Sequence, residues 1–511
     1  MQFQENILIN KSKNLFIFAT LFSIYFLWDI NNLNLFYIII IPIILHIFKD
    51  IKILIKKKHL ILLFIFFLIF IHHLITNSFN LNLSYLIKIS YLYLIFLFCL
   101  FFYENFEKNL KILVYSFCFF YYFLLILNSI VNLDIVIQSF ENIFIYKNEL
   151  FNIKGNFWNF CQSSIPFFLR SKIIFQENSH LGMINVAVCL LLIYYASFEK
   201  NKLVKSLILL FPLISITNSS TTFFVGFIIC TIIILILGFK KLPNLFINVS
   251  IFLSIIIILI NIFDETCNHR YSQLTETNNS MIELVKQNNR LLENTKINEN
   301  INTFNENIIT FNDLIVKRIK LYNELDNELY NYSTGNVKNN TNRNKIENIK
   351  KQILNIEKKL NEINKEKFEY IKKGYSYNLT NQVHIRSYYL ALHSLKNKFL
   401  GWGFDNYHIA FDEYKFEVPA FNPVVLSLNT RDASNNLSKI VTEFGIFSIF
   451  FFLFLTIISF EKKVPIHIKI FLISIIITQL IRGAGYFNGG FILSVTMYIF
   501  TYFKYRNLNK T

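Results

Sequence analysis

Glycine and proline are scarce in this chain, 13 and 7 among 511 residues, while 54% of the residues are hydrophobic and 58 are Phe. A soluble domain could not hide that many apolar side chains. Within the apolar runs no strand-period alternation of polar and apolar residues appears, which excludes a membrane β-barrel. Internal repeats and Gly/Pro-broken helices are also missing, which argues against a transporter. Cysteine is sparse too. Cys99, Cys118, Cys189 and Cys230 fall in apolar runs, where they behave as small apolar residues. Cys161 and Cys267 remain as a candidate disulfide in an oxidising compartment. The first apolar run lacks a small-residue cleavage site and reads as an anchor.

What the chain does have is runs long enough to cross roughly 30 Å of hydrocarbon, which takes about 20 helical residues. About twelve are legible, at 14–30, 33–48, 60–76, 84–103, 111–132, 181–197, 203–217, 220–238, 242–263, 440–460, 466–481 and 485–503. With the N-terminus inside, the inner connections carry Lys11, Lys13, Lys49, Lys52, Lys56, Lys57, Lys58, Lys108, Lys200, Lys202, Lys205, Lys240, Lys241, Lys462, Lys463 and Lys469, and the tail adds Lys504, Arg506 and Lys510. The short outer connections Asp29–Asn32, Thr76–Asn82 and Thr217–Ser219 carry no Lys or Arg. This is the positive-inside pattern. The formal charge of +17 is thereby assigned to topology and anionic lipids, with no nucleic-acid partner.

The expected fold class is all-α: a polytopic membrane protein with a large outer loop and an inserted helical hairpin. Its parts are helices at 1–132, an outer loop at 133–180, helices at 181–263, a large outer loop at 264–439, and helices with a cytoplasmic tail at 440–511. Within the large loop, residues 276–370 lack Pro and hold only Gly335. Two heptad seams run there, from Ile301 to Tyr322 and from Ile346 to Ile363, with an Asn-rich turn between them, which predicts an antiparallel coiled-coil hairpin. It reads either as an insertion drifting in Asn and Lys or as a docking arm.

Chemistry concentrates on either side of that arm. Arg170, Lys172, Glu177 and His180 precede the sixth apolar run; Arg386 opens a stretch ending in Gly401-Trp402-Gly403; and Asp432 and Ser434 lead to Glu443. Paired cations above a membrane suit a pyrophosphate leaving group, and Arg binds phosphate oxygens with a bidentate fork. Lys88, Glu443 and Arg482 are ionisable groups inside apolar runs, which either face a cavity or snorkel to the surface. Arg386 equally suits a helix cap or a lipid headgroup.

Phe175-Gln176-Glu177-Asn178-Ser179-His180, Asn218-Ser219-Ser220-Thr221-Thr222, Arg386 through Gly401-Trp402-Gly403, and Ser434-Asn435 followed by Gly445 come in this order along the chain. In order and placement these segments resemble the motifs of the O-antigen ligase and O-antigen polymerase family, bacterial inner-membrane glycosyltransferases. The resemblance covers about 280 residues outside the arm. It implies an undecaprenyl-pyrophosphate-linked glycan as substrate, held by Arg170 and Arg386, and inverting transfer without a metal, cofactor or nucleotide sugar; Lys88 and Arg482 join these two as candidate pyrophosphate contacts by their place inside apolar runs. A chain-length regulator or other envelope protein is the partner expected for the arm. Where ligases carry His, this chain has Ser434, a poor base near neutral pH. The proton therefore falls to Glu177, His180, Asp432 or Glu443, with Glu177 first by location. The missing His also favours a polymerase over a ligase.

Overall fold

The computed structural model describes residues 29–30, 33–34, 40, 57–77, 83–130, 178–217, 221–238, 243–266, 317, 321, 324, 345–352, 355, 379–415, 425, 428–483, 485–487 and 489–507. The fold is all-α apart from a two-residue antiparallel ladder of β1 (Asp29–Ile30) and β2 (Leu33–Asn34). The first helices are α1 (Lys57–Thr76), α2 (Leu83–Ile130), α3 (Asn178–Phe198), α4 (Lys202–Thr217), α5 (Thr221–Gly238) and α6 (Pro243–Thr266). After the large loop come α7 (Leu379–Asn397), α8 (Tyr407–Tyr414), α9 (Asn436–Phe444), α10 (Phe447–Phe460), α11 (Ile466–Ile481) and α12 (Phe491–Asn507). Most cover the apolar runs, since stretches of Leu, Ile and Phe almost free of Gly and Pro leave the i to i−4 hydrogen-bond ladder intact.

Two helices depart from expectation. The turn anticipated between 84–103 and 111–132 is helical, so α2 is one run of 48 residues passing through Lys108. Its halves have different partners all the same. The first half follows α12 in parallel order: Cys99 lies on the Leu493 carbonyl, Tyr103 stacks on Phe500, and Glu107 pairs with Lys504. The second half meets α3 in reverse order, with Tyr115 beside Tyr195 and Tyr121 beside Asn185. The run at 440–460 breaks at Gly445 into α9 and α10. Glu443 is therefore not inside a long apolar span, as the sequence suggested, but on the last turn of a short polar-faced helix.

The chain forms two compact units. One comprises 1–269, 394–408 and 431–511, the other 270–393 and 409–430. In the first, α3 packs against α11, α4, α5 and α6. Leu181, Val186, Ala187, Cys189, Leu191 and Ile193 have no exposed surface, as expected of a helix apolar on every side. The surrounding helices turn large apolar side chains outward: Phe64, Phe119, Leu203, Ile236, Ile258 and Phe450 are each more than half exposed. Among the described residues, Ser179–Phe198 is the one segment long and apolar enough to cross a membrane by length and composition, and several shorter apolar helices accompany it. Cys99, Cys118, Cys189 and Cys230 are buried free thiols.

In the second unit, Ile346 and Ile349 of the second heptad seam are buried, as is Leu321, and Lys345 reaches Glu324 at 4.0 Å. Most of 276–370, all of 133–177, and both Cys161 and Cys267 lie outside the described residues.

Candidate functional site: a buried charge cluster

The site is built on α9. Asn435 caps its start, the side-chain oxygen accepting the Ser438 N–H at 2.7 Å. One turn separates Lys439 from Glu443, and the i,i+4 spacing sets the ammonium 3.2 Å from the carboxylate with both side chains buried. Lys439 Nζ also donates to Asp405 Oδ1 at 3.1 Å and to the Arg431 carbonyl at 2.6 Å. The ammonium thus has two hydrogen-bond acceptors and the Glu443 carboxylate at ion-pair distance, while the Tyr486 ring lies 5.0 Å from it. Asp405 turns its second oxygen, Oδ2, to Lys88 of α2.

The turn that carries Asp405 is clamped to the end of α9. Trp402 N–H donates to the Thr442 carbonyl at 3.1 Å and Gly403 N–H to the Glu443 carbonyl at 2.8 Å, filling acceptors that a helix terminus leaves open. Ile446 N–H returns to the Phe399 carbonyl at 3.0 Å. The approach needs glycine on both sides: Gly401 has φ +83° and Gly445 φ +53°, and a Cβ on either would strike the other segment's backbone. Glu443 reinforces the clamp from its side chain, accepting Asp405 N–H at 2.8 Å and Tyr407 N–H at 3.2 Å. The end of α1 holds the same turn: Asn77 Oδ1 accepts from Asn406 at 2.8 Å and His72 Nε2 meets the Leu400 carbonyl at 2.8 Å. Asp405, Ala433 and Ser434 all take positive φ, between 57° and 63°, which costs a residue other than glycine about 1–3 kcal/mol. Strain of that kind persists only where the surroundings over-determine it, and here it gathers around one cluster.

Burial opposes charge throughout the cluster, and the partners decide the outcome. Burial pushes the Glu443 carboxyl up to about 7, with Lys439 pulling the other way. For Asp405 burial also works upward, but Lys439 and Lys88 hold it below the ordinary carboxylate range. Burial works to lower Lys439, yet Glu443 and then Asp405 keep it above the usual lysine range. The half-buried His408 is lowered from the ordinary imidazole range by burial, with Asp405 pulling the other way.

Of the residues singled out in the sequence, Lys88 and Glu443 meet in this cluster through Asp405 and Lys439. Arg482, at the end of α11, donates from Nη1 to Ser434 Oγ at 2.7 Å, so these two also come together. Asp432 is exposed and lies beside Gly485. His180 is half-buried on the first turn of α3. Arg386 belongs to the second unit and is 2% exposed; its guanidinium donates to the Lys415 carbonyl at 2.5 Å and lies 4.8 Å from the Phe411 ring centre. That is an interior contact, unlike the open interfacial position expected for it. Arg170 and Glu177 lie outside the described residues. Asp405, Lys439 and Tyr486 escaped the sequence reading; the i,i+4 pair Lys439/Glu443 at the mouth of an apolar run was the signal available.

Chemically, the cluster joins a buried ammonium to Lys88, a cation at 30% exposure, with the exposed Arg431 bonded to that ammonium through its carbonyl and the half-buried Arg482 on Ser434 of the segment leading into α9. Such a set of cations suits an anion with several oxygens. Among the described residues, no group of three or more His, Cys, Asp or Glu side chains is arranged to hold a metal ion. No protein-family model, curated protein or solved structure matches the chain.

Proposed function

We propose that the chain is a multi-pass protein of the bacterial inner membrane that acts as an O-antigen polymerase-like glycosyltransferase, joining undecaprenyl-pyrophosphate-linked units at the periplasmic face. The observation that carries this reading is a cation-rimmed charge cluster in a helical unit whose outer faces are apolar. Exposed Phe, Leu and Ile on helix after helix are costly in water and natural in lipid. Of the cluster's charged members, Lys439 and Glu443 sit on the polar helix α9 and Asp405 on the 403–407 turn, apart from the apolar body of α10, while Lys88 joins them from the first turns of α2. A transporter would instead favour ionisable groups near the bilayer midplane.

In this reading an acceptor hydroxyl attacks the anomeric carbon of the donor. The bond to the diphosphate oxygen breaks with inversion, and its electron pair leaves with the diphosphate. Stabilising that growing charge is the main catalytic task, and cations set before the substrate arrives perform it best. Lys88, Arg431 and Arg482 are the contacts assigned, joined by Arg170 from the resemblance. Glu443 is a positioning residue, because its oxygens are taken by Lys439 and two backbone N–H groups. Proton acceptance then falls to Asp432, His180 or Glu177.

Two measurements test the proposal. The purified protein should lengthen lipid-pyrophosphate repeat units in vitro, and a deletion strain should display single-repeat surface glycan. Accumulation of lipid-linked polymer in that strain would instead indicate a ligase, and unaltered glycan would sink the reading.

A further inference from the structure

We propose that the Asp405 carboxylate occupies the seat of a phosphoryl group, so that a diphosphate ester takes Lys88 over from Asp405 when it binds. The natural identity of that ester rests on the transferase reading above; the exchange itself does not.

The two oxygens of Asp405 have unequal partners. Oδ1 faces Lys439, whose side chain is 2% exposed and whose ammonium is fixed by two further oxygens. Oδ2 faces Lys88, which is 30% exposed and has no such enclosure. An arriving anion can therefore compete for Lys88 while Lys439 stays saturated and keeps Asp405 in place. Carboxylate and phosphoryl oxygens offer an ammonium the same charge-assisted contact, but a diphosphate carries more charge and more oxygens.

The turn prevents Asp405 from following Lys88 outward. Its φ of +62° is held by its own N–H and that of Tyr407, both donating to Glu443, and by the Asn406 bond to Asn77. Arg431 adds a cation close by: its carbonyl sits 2.6 Å from Lys439 Nζ, and its charge acts on His408 and Asp432. Asp405 thus acts as a fixed counter-ion whose charge sets how readily the rim accepts a diphosphate. A purely structural carboxylate and a competing one then predict opposite signs for its neutralisation.

The test uses the full chain in detergent or nanodiscs, with inorganic pyrophosphate and farnesyl diphosphate as separate probes. Asp405→Asn should bind diphosphate about tenfold tighter than wild type, Lys88→Met about tenfold weaker, and the double variant should match Lys88→Met. Preference for farnesyl diphosphate over pyrophosphate would mark a lipid-borne ligand, and equal binding a free one. A folded Asp405→Asn protein that binds no tighter than wild type would overturn the exchange. Should that variant not fold, Lys88→Met decides, since unchanged diphosphate binding by it would overturn the proposal equally. A wild-type protein that binds diphosphate but transfers no glycan would defeat the transferase reading and leave the exchange standing.

Discussion

Lys439 and Glu443 stand one helical turn apart on α9 and pair at 3.2 Å with 2% and none of their side chains exposed. Removing one partner strands the other without solvent. Lys439→Met should therefore destabilise the protein by about 3–5 kcal/mol, leaving Glu443 and Asp405 without their shared cation. Thermal unfolding in detergent checks this, and a loss below about 1 kcal/mol would show that the pair is solvated.

Glu443 should add to the pH dependence of stability a contribution of definite sign. Its carboxyl is raised from 4.5 to about 7 in the folded protein. Between those values the folded state holds a proton that the unfolded state has released. The contribution is complete at pH 4.5, falls as pH rises, and levels off above 7. Asp405, held low, acts in the opposite sense: its contribution is present above the ordinary carboxylate range and disappears in stronger acid. Glu443→Gln should lose this contribution, so that the difference in unfolding midpoint between variant and wild type changes with pH between 4.5 and 7 and is constant outside that interval.

Gly445→Ala should cost at least about 1–3 kcal/mol, since alanine at φ +53° is strained before its methyl meets the Phe399 carbonyl. Unpinning α9 from the Gly401–Gly403 turn should depress transfer more than it lowers accumulation. Equal activity at matched expression would show that the clamp is dispensable.

Arg386→Ala should lower accumulation instead of leaving it normal, because the guanidinium is buried, bonded to a carbonyl and stacked on Phe411. The expected loss is about 2–4 kcal/mol, with Arg386→Lys recovering part of it. Immunoblots and protease resistance measure the effect; full stability with abolished transfer would restore Arg386 as a substrate contact.

Topology gives the simplest check on the membrane reading. Arg431→Cys should react with an impermeant maleimide from the periplasm, and Lys462→Cys should not. Reporter fusions should likewise put Asn336 outside and Lys57 and Lys510 inside. Labelling of Lys462→Cys in intact cells would reverse the orientation and remove the site from the outer face.

Helices were largely legible in the sequence, the charge cluster hardly at all. The run at 181–197 announced α3 because length and apolarity alone determine such a helix. The break at Gly445 was hidden, since it depends on Trp402 and Gly403 supplying N–H groups from some 40 residues earlier. Lys439 looked like the end of a polar loop; its importance lies in Asp405 and Arg431, which share no local pattern with it. Arg386 misled for the converse reason: its charge suggested a surface, whereas Phe411 and the Lys415 carbonyl give the guanidinium an interior partner on each side.

The pairing of Lys88 with Asp405 spans 317 residues of chain, which imposes an order on the protein's birth. Lys88 leaves the ribosome on the order of half a minute before its carboxylate does, at roughly 5–20 residues per second. Over that interval α2 must settle with an unmatched ammonium, and its long methylene stem lets the charge reach polar surroundings. Only after α9 has emerged can Lys439 receive Asp405 and the turn close. A nascent chain arrested before Asn436 would carry every residue of the 403–407 turn and still have no site.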